Sequence, residues 1–493
     1  MYKIGFDSEK YLQLQSEKII ERIHKFGGKL YLEFGGKLFD DYHASRVLPG
    51  FKPDAKLQML LKLKDEAEIV IAINADAIAT NKIRGDLGIT YDQDVLRLID
   101  AFRSVGLYVG SVVLTQYQNQ PRARAFRNKL ERLGVKTYRH YPIEGYPYDV
   151  NKIVSDSGYG ANEYIETERS LVVVTAPGPG SGKMATCLSQ LYQDNKKGIK
   201  SGYAKFETFP IWNLPLEHPV NIAYEAATAD LNDVNMIDPF HLQAYGTQTV
   251  NYNRDIENFP VLNAIFNGIF GVSPYKSPTD MGVNMAGFCI SDDEATREAA
   301  RQEIIRRYYQ ALLDREYGKA DNSVVEKTKA LMMRWDIREE ERKVIATALK
   351  KAQATGAPAC ALELPDGRTV VGKTSNLLGA ASATLLKALN VLAGNEEHTK
   401  LFTSAIITPL QALKTGPLGG HNPRLHVEEI LVALAISATQ SPIAAAAIEA
   451  LPLLRHSELH SSVILSPVDI ATLKKLGVNV TCTPVFQTKK LYH

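Results

Sequence analysis

Leu171-Val172-Val173-Val174-Thr175-Ala176-Pro177-Gly178-Pro179-Gly180-Ser181-Gly182-Lys183 is the stretch on which the reading of this chain turns. The apolar, β-branched run Leu171 to Thr175 reads as a buried strand. Glycines behind it let backbone N–H groups turn inward around an anion. A helix-compatible segment from Met184 to about Asn195 follows, and its N-terminus adds partial positive charge. Lys183 supplies a full one. A strand, a glycine loop, a lysine and a helix in that order form a phosphate cradle. Its candidate binding residues are Gly178, Gly180, Ser181, Gly182, Lys183 and Thr186. The alternative is a tight strand-to-helix turn with a surface lysine.

The loop departs from G-x-x-x-x-G-K-[ST]. Pro177 holds the first glycine position, and Met184 stands where a hydroxyl would ligate Mg²⁺. Thr186, on the same helical face as Lys183, is the nearest substitute. A letter-perfect match occurs at Gly367-Arg368-Thr369-Val370-Val371-Gly372-Lys373-Thr374. It is rejected, because Pro365-Asp366-Gly367 is a turn signal between the extended runs Ala361–Leu364 and Arg368–Val371. Extended residues do not curl around a phosphate. The corner Gly372 to Ser375 reads instead as the cap of the next helix.

Outward from the loop, strands and helices alternate. Strands are expected at Lys29–Phe34, Glu68–Ile73, Leu107–Thr115, Val135–Tyr141 and Gly202–Phe206. Helices are expected at Asp54–Ala67, Tyr91–Val105 and Pro121–Leu133. The helix from Tyr91 carries Val95, Leu96, Leu98, Ile99 and Phe102 on one side. This alternation predicts an α/β fold whose mostly parallel sheet holds a P-loop-like strand–loop–helix, with ligands beyond the carboxyl ends of the strands. Residues 1–210 form that domain, and 211–315 are its helix-rich extension. After a linker at Glu316–Asn322, residues 323–493 form a smaller C-terminal α/β or α+β domain. It begins with helical Val324–Ala354, and near its end Val463–Leu465 and Val478–Val480 read as strands around the helix Pro467–Leu476.

Candidate chemistry lies mostly after the loop. Phe206-Glu207-Thr208 closes a strand expected to neighbour the loop strand, so Glu207 is placed to hold Mg²⁺ or activate water, or else to cap a turn. Asp230 and Asp233 are expected on one helical face, as paired carboxylates for Mg²⁺ or as helix caps. Arg254, Asp280 and Asn284 are candidate substrate contacts, as is Lys37 in Phe34-Gly35-Gly36-Lys37-Leu38, which repeats Phe26-Gly27-Gly28-Lys29-Leu30. The plain alternatives are a solvated arginine, a helix cap and a Gly-Gly turn. His421, His426, His456 and His460 share one window, and the last two would be half a metal site on a helix.

The charges nearly balance, with 57 Lys+Arg against 55 Asp+Glu, so no nucleic-acid groove or anionic membrane surface is implied. The four cysteines are far apart, which argues against a disulfide framework or zinc ribbon. No apolar signal segment opens the sequence. The apolar stretch Ile430–Leu454 is interrupted by Ser437, Gln440, Ser441, Pro442 and Glu449, so it reads as paired helices, for the core or for a homo-oligomer contact, rather than a membrane span.

Tyr31 to Arg46, Ala176 to Thr186, Thr228 to Phe240 and His421 to His426 resemble the bacterial "domain of unknown function 1846" family, and the likeness runs along nearly the whole chain. The resemblance implies a cytoplasmic bacterial protein with a P-loop-like N-terminal half and a distinct C-terminal domain. It carries no reaction with it. Pro177 and Met184 agree with the family pattern, so the departure from Walker A belongs to the family.

Two functions fit these residues. One is a nucleotide-dependent enzyme, with ATP foremost: a small-molecule kinase, ligase or other phosphoryl-transfer protein. Lys183, Glu207, Asp230 and Asp233 would then be catalytic. The other is a non-hydrolytic binder of a phosphorylated metabolite with a regulatory or structural role. A third, metal-dependent hydrolysis, would use the C-terminal histidines.

Overall fold

Val172, Val173 and Val174 lie in the interior of a sheet, as their apolar character requires. The computed structural model describes residues 3–35, 38–39, 41–85 and 87–487. Seven strands form the main sheet: β1 (Leu30–Phe34), β2 (Ala67–Asn74), β3 (Tyr108–Thr115), β4 (Lys136–Arg139), β5 (Leu171–Thr175), β6 (Gly202–Phe206) and β7 (Gly282–Val283). Their order is β7-β6-β1-β5-β2-β3-β4, and every pairing is parallel. β1, β2 and β5 are buried almost throughout, which is why they read as continuous apolar runs.

The order sets the site. The chain steps outward from β2 to β3 and β4, returns to insert β5 between β1 and β2, and then leaves on the other side through β6 and β7. The direction of winding therefore reverses at β5, and the crevice beyond its carboxyl end is the binding position of such sheets. β6 does not neighbour the loop strand as expected. β1 lies between them, with Glu33 in register with both Val174 and Lys205. A strand's place in the order is decided by crossover connections, which leave no local mark in sequence.

Helices cover the sheet. Those used below are α1 (Tyr91–Ser104), α2 (Lys183–Lys196) and α3 (Asn253–Phe270). Cys187, Leu188 and Leu191 of α2 and Phe259, Leu262 and Phe266 of α3 share one core with Tyr31, Val172, Val174 and Tyr203 of the sheet. The first copy of the glycine repeat is the predicted helix exit, with Gly27 and Gly28 both at positive φ before β1.

Two compact units emerge. One holds Gly5–Glu225 and Asp233–Arg297, and the other runs from Glu298 onward together with Ala226–Asn232. The boundary falls inside the helix α4 (Asp293–Glu316) rather than in the expected linker. The second unit contains the sheet β9-β8-β10-β11, made of β8 (Ala359–Glu363), β9 (Thr369–Lys373), β10 (Glu458–Ser461) and β11 (Asn479–Cys482). β8 and β9 form the expected hairpin, with Gly367 at φ 89° in the turn. The strand expected at Val463–Leu465 lies earlier, at Glu458–Ser461. The helical stretch from Val324 breaks into Asn322–Arg334 and Lys343–Thr355. The Gly372–Ser375 corner does not cap a helix: Ser375 accepts from Leu377 and Leu378, and the next helix starts at Ala380 behind Gly379.

Candidate functional site: a loop of free amides at the sheet edge

Gly180 and Gly182 adopt φ 76° and 82°, with Ser181 between them on the ordinary side. Alternation of this kind turns successive N–H groups to one side as an anion-binding nest. The neighbouring carbonyls are tied down. Asn74 Nδ2, at the end of β2, donates to Gly180 O at 3.3 Å. Thr115 Oγ1, at the end of β3, donates to Ser181 O at 2.9 Å. Gly182 O accepts from Thr186 N and Thr186 Oγ1. In a trans peptide the C=O and the following N–H point oppositely. Pinning these carbonyls therefore directs the amides of Ser181, Gly182 and Lys183 away from the sheet edge.

Those amides are unspent. The N-cap of α2 is Gly182, which has no side chain with which to cap, so the first-turn donors stay open. Among the described residues, none of the N–H groups of Gly180, Ser181, Gly182, Lys183, Met184 and Ala185 meets an acceptor. The Lys183 ammonium likewise makes no ion pair or hydrogen bond among them. Close packing fixes the loop from below: a Cβ at Gly182 would stand 2.9 Å from Thr115 Cγ2, and one at Gly178 2.3 Å from the Tyr91 hydroxyl.

A cavity of about 500 Å³ opens beside the loop. Thr175 to Pro179 and Lys183 form one wall, and Tyr91, Arg97 and Leu98 of α1 another. Phe34, Leu38, Phe39 and the segment Ile83 to Gly85, whose Ile83 and Arg84 pair antiparallel with Thr90 and Ile89, close it.

A buried charge cluster lies along the same edge at the end of β6. Lys205 reaches Asp255 and Tyr252, and Glu207 at 3.0 Å. Glu207 also accepts from Trp212 Nε1 at 3.2 Å. Burial, and after it the charge of Asp255, outweigh Lys205 and push the Glu207 carboxyl up to about 7. Burial works against the Lys205 ammonium, but Asp255, Tyr252 and Glu207 together hold its pKa well above the ordinary value. Gly282 permits this packing, since a Cβ there would meet the Trp212 ring at 2.4 Å.

Comparison with known proteins places the whole chain. Residues 4–336 match the family model "Domain of unknown function DUF1846, N-terminal", and residues 340–492 match "Domain of unknown function DUF1846, C-terminal". The chain belongs to the DUF1846 family. Curated relatives named "UPF0371 protein" from Streptococcus thermophilus and Streptococcus pneumoniae are 58% identical over 492 residues, covering 100% of both chains.

In this DUF1846 chain the sequence-predicted residues separate into groups. Gly178, Gly180, Ser181, Gly182 and Lys183 form the loop. Thr186 is fully buried, and its hydroxyl is given to Gly182 O, so it braces the nest from beneath. Asp230 and Asp233 share no helical face. The helix Pro219–Ala227 ends before them, and Asn232 at φ 58° breaks the path between them. Asp230 is exposed, whereas Asp233 is buried and pairs with Arg254 at 3.0 Å. Asp280 accepts from Tyr245 and the Lys276 amide. Asn284 is buried and donates to Thr208 O and Pro210 O, latching the segment after β6. Lys37 lies outside the described residues.

The histidines do not converge. His426 pairs with Asp469 at 3.0 Å. His460 stands on a strand between Thr481 and Thr483, its pKa held down at about 3 by burial. His456 and His460 are thus not on a helical face. Among the described residues no group of three or more His, Cys, Asp or Glu is arranged to hold a metal. The four cysteines are buried free thiols. No helix of the described residues is long and apolar enough to cross a membrane.

Asn74, Thr115, Lys205, Trp212 and Asp255 were missed from sequence. Asn74 and Thr115 did carry a signal, as the polar residues that end the apolar strands β2 and β3.

Proposed function

We propose that this chain binds a phosphorylated small molecule, a nucleotide foremost, at the loop Pro177–Lys183. One observation carries the reading: the amides from Gly180 to Ala185 lack acceptors among the described residues, while the carbonyls between them are pinned to the sheet edge. Backbone donors at a helix N-terminus, joined by an unpaired lysine, are the ordinary means of holding phosphate. Their position at the winding reversal of a parallel sheet agrees with it.

Of the two functions the sequence allows, the non-hydrolytic binder is the better supported. Phosphoryl transfer from ATP needs Mg²⁺ beside the phosphates. Thr186 is committed to Gly182 O, Glu207 to Lys205 and Trp212, and Asp233 to Arg254. These side chains therefore do not make a fitting Mg²⁺ donor set at the loop. Titration calorimetry with ATP and with pyrophosphate, in EDTA and in Mg²⁺, tests the reading. Binding is expected in both buffers, weakened about tenfold or more in Lys183→Ala, in keeping with the 1.5–3 kcal/mol of a charge-assisted contact. No binding at millimolar ligand, or unchanged binding by Lys183→Ala, would overturn it. Binding only with Mg²⁺ would restore the phosphoryl-transfer enzyme.

A further inference from the structure

The cavity beside the loop says what else the ligand carries. We infer that it takes the aromatic base of a nucleoside phosphate, laid against Phe39 and Arg97, with its phosphate on the Ser181–Lys183 amides. This rests on the phosphate reading of the loop.

The walls combine polar and apolar groups. Beside Lys183 the lining is the loop itself, with the Tyr91 hydroxyl close to Gly178. The rest of the lining includes the apolar Phe34, Leu38, Phe39, Ile83 and Leu98, with Arg84 and Arg97 as its charged members. Phe39 packs against the buried Phe102, with ring centroids 5.3 Å apart and planes tilted by 37°, which restrains its orientation. The Arg97 guanidinium lies 5.9 Å from the Phe39 ring and is anchored by Asp94 at 2.6 Å. An aromatic ring with a held guanidinium over it, both lining the cavity, offers a heterocycle a π-surface and a cation to pack against. A sugar phosphate without a base would leave this wall unused. The volume, about 500 Å³, is within the range of small-ligand sites, on the order of 300–1,000 Å³.

The experiment is a calorimetric panel on the full-length protein in EDTA: AMP, UMP, ribose 5-phosphate and pyrophosphate, with wild type, Phe39→Ala and Arg97→Ala. AMP or UMP should bind at least about fivefold tighter than ribose 5-phosphate, the equivalent of about 1 kcal/mol of base stacking. Phe39→Ala should bring the nucleotides down to the ribose 5-phosphate level and leave pyrophosphate unchanged. Arg97 is partly exposed, and its replacement should weaken nucleotides in the same selective way if Phe39→Ala does not fold. Equal affinity of nucleotides and ribose 5-phosphate, unmoved by either substitution, would overturn the base pocket while pyrophosphate binding kept the loop reading intact. Failure of pyrophosphate and of every phosphate ester would remove both.

Discussion

Lys183 and Glu207 are two charged residues in opposite situations. Lys183 has no partner among the described residues, and the proposed function gives it an anion. Glu207 is buried, with Asp255 near it, and despite its contact with Lys205 its carboxyl is pushed up to about 7. An acid whose folded pKa lies above its unfolded value stabilises the fold while protonated. That contribution is complete below about pH 4.5 and is lost as pH rises through 7. Glu207→Gln removes the titration. In thermal melts the variant should therefore gain on wild type between pH 5 and pH 8, by on the order of 2–3 kcal/mol at most. A pH-independent difference would contradict the assignment. Thr115 acts through the loop rather than on a ligand. Thr115→Val should cost about 1 kcal/mol of stability and weaken pyrophosphate binding severalfold, because the Ser181 carbonyl is released and the Gly182 amide with it.

The loop as an element depends on two glycines for different reasons. Gly180 needs only its positive φ, since nothing lies within 4 Å of an added Cβ. Gly180→Ala should cost about 1–2 kcal/mol in urea unfolding, the ordinary left-handed penalty. Gly182 needs the positive φ and also the space beside Thr115. Gly182→Ala should cost more than Gly180→Ala and should abolish measurable pyrophosphate binding. The strand, loop and helix were legible in sequence because each rests on neighbours in the chain: Val172–Val174 for burial, the glycines for the turn, the helix pattern after Lys183. What faces the loop was not legible. Asn74 and Thr115 are brought to it by strand order, and strand order also put β1 between Glu207 and the loop. Asp230 and Asp233 misled because i,i+3 spacing means one face only inside a helix, and the helix had already ended at Ala227.

At the scale of the molecule, each unit holds its own buried ion network. In the second, Arg342 is almost wholly buried. It reaches Glu458, Thr481 at 3.1 Å and the carbonyls of Leu459 and Asn479. Burial favours the neutral Glu458 acid, yet Arg306 and Arg342 prevail and hold its carboxyl below the usual range. Arg342→Met should destabilise this unit by about 3 kcal/mol or more, since it strips Glu458 of one partner. The sequence has two tryptophans, and Trp335 is in this unit while Trp212 is in the other. Urea unfolding followed by Trp335 fluorescence in a Trp212→Phe background reads that loss directly. Nucleotide binding at the loop should be unchanged by it.

The claim on which the functional account stands is that the amides at the head of α2 lack acceptors in the free protein and take up an anion. Hydrogen–deuterium exchange on the peptides spanning Gly178–Ala185, with and without saturating pyrophosphate, measures it. The account expects rapid exchange in the free protein and marked protection on adding pyrophosphate, confined to this stretch and absent in Lys183→Ala. Slow exchange before any ligand is added, or uptake that pyrophosphate does not alter, would contradict it.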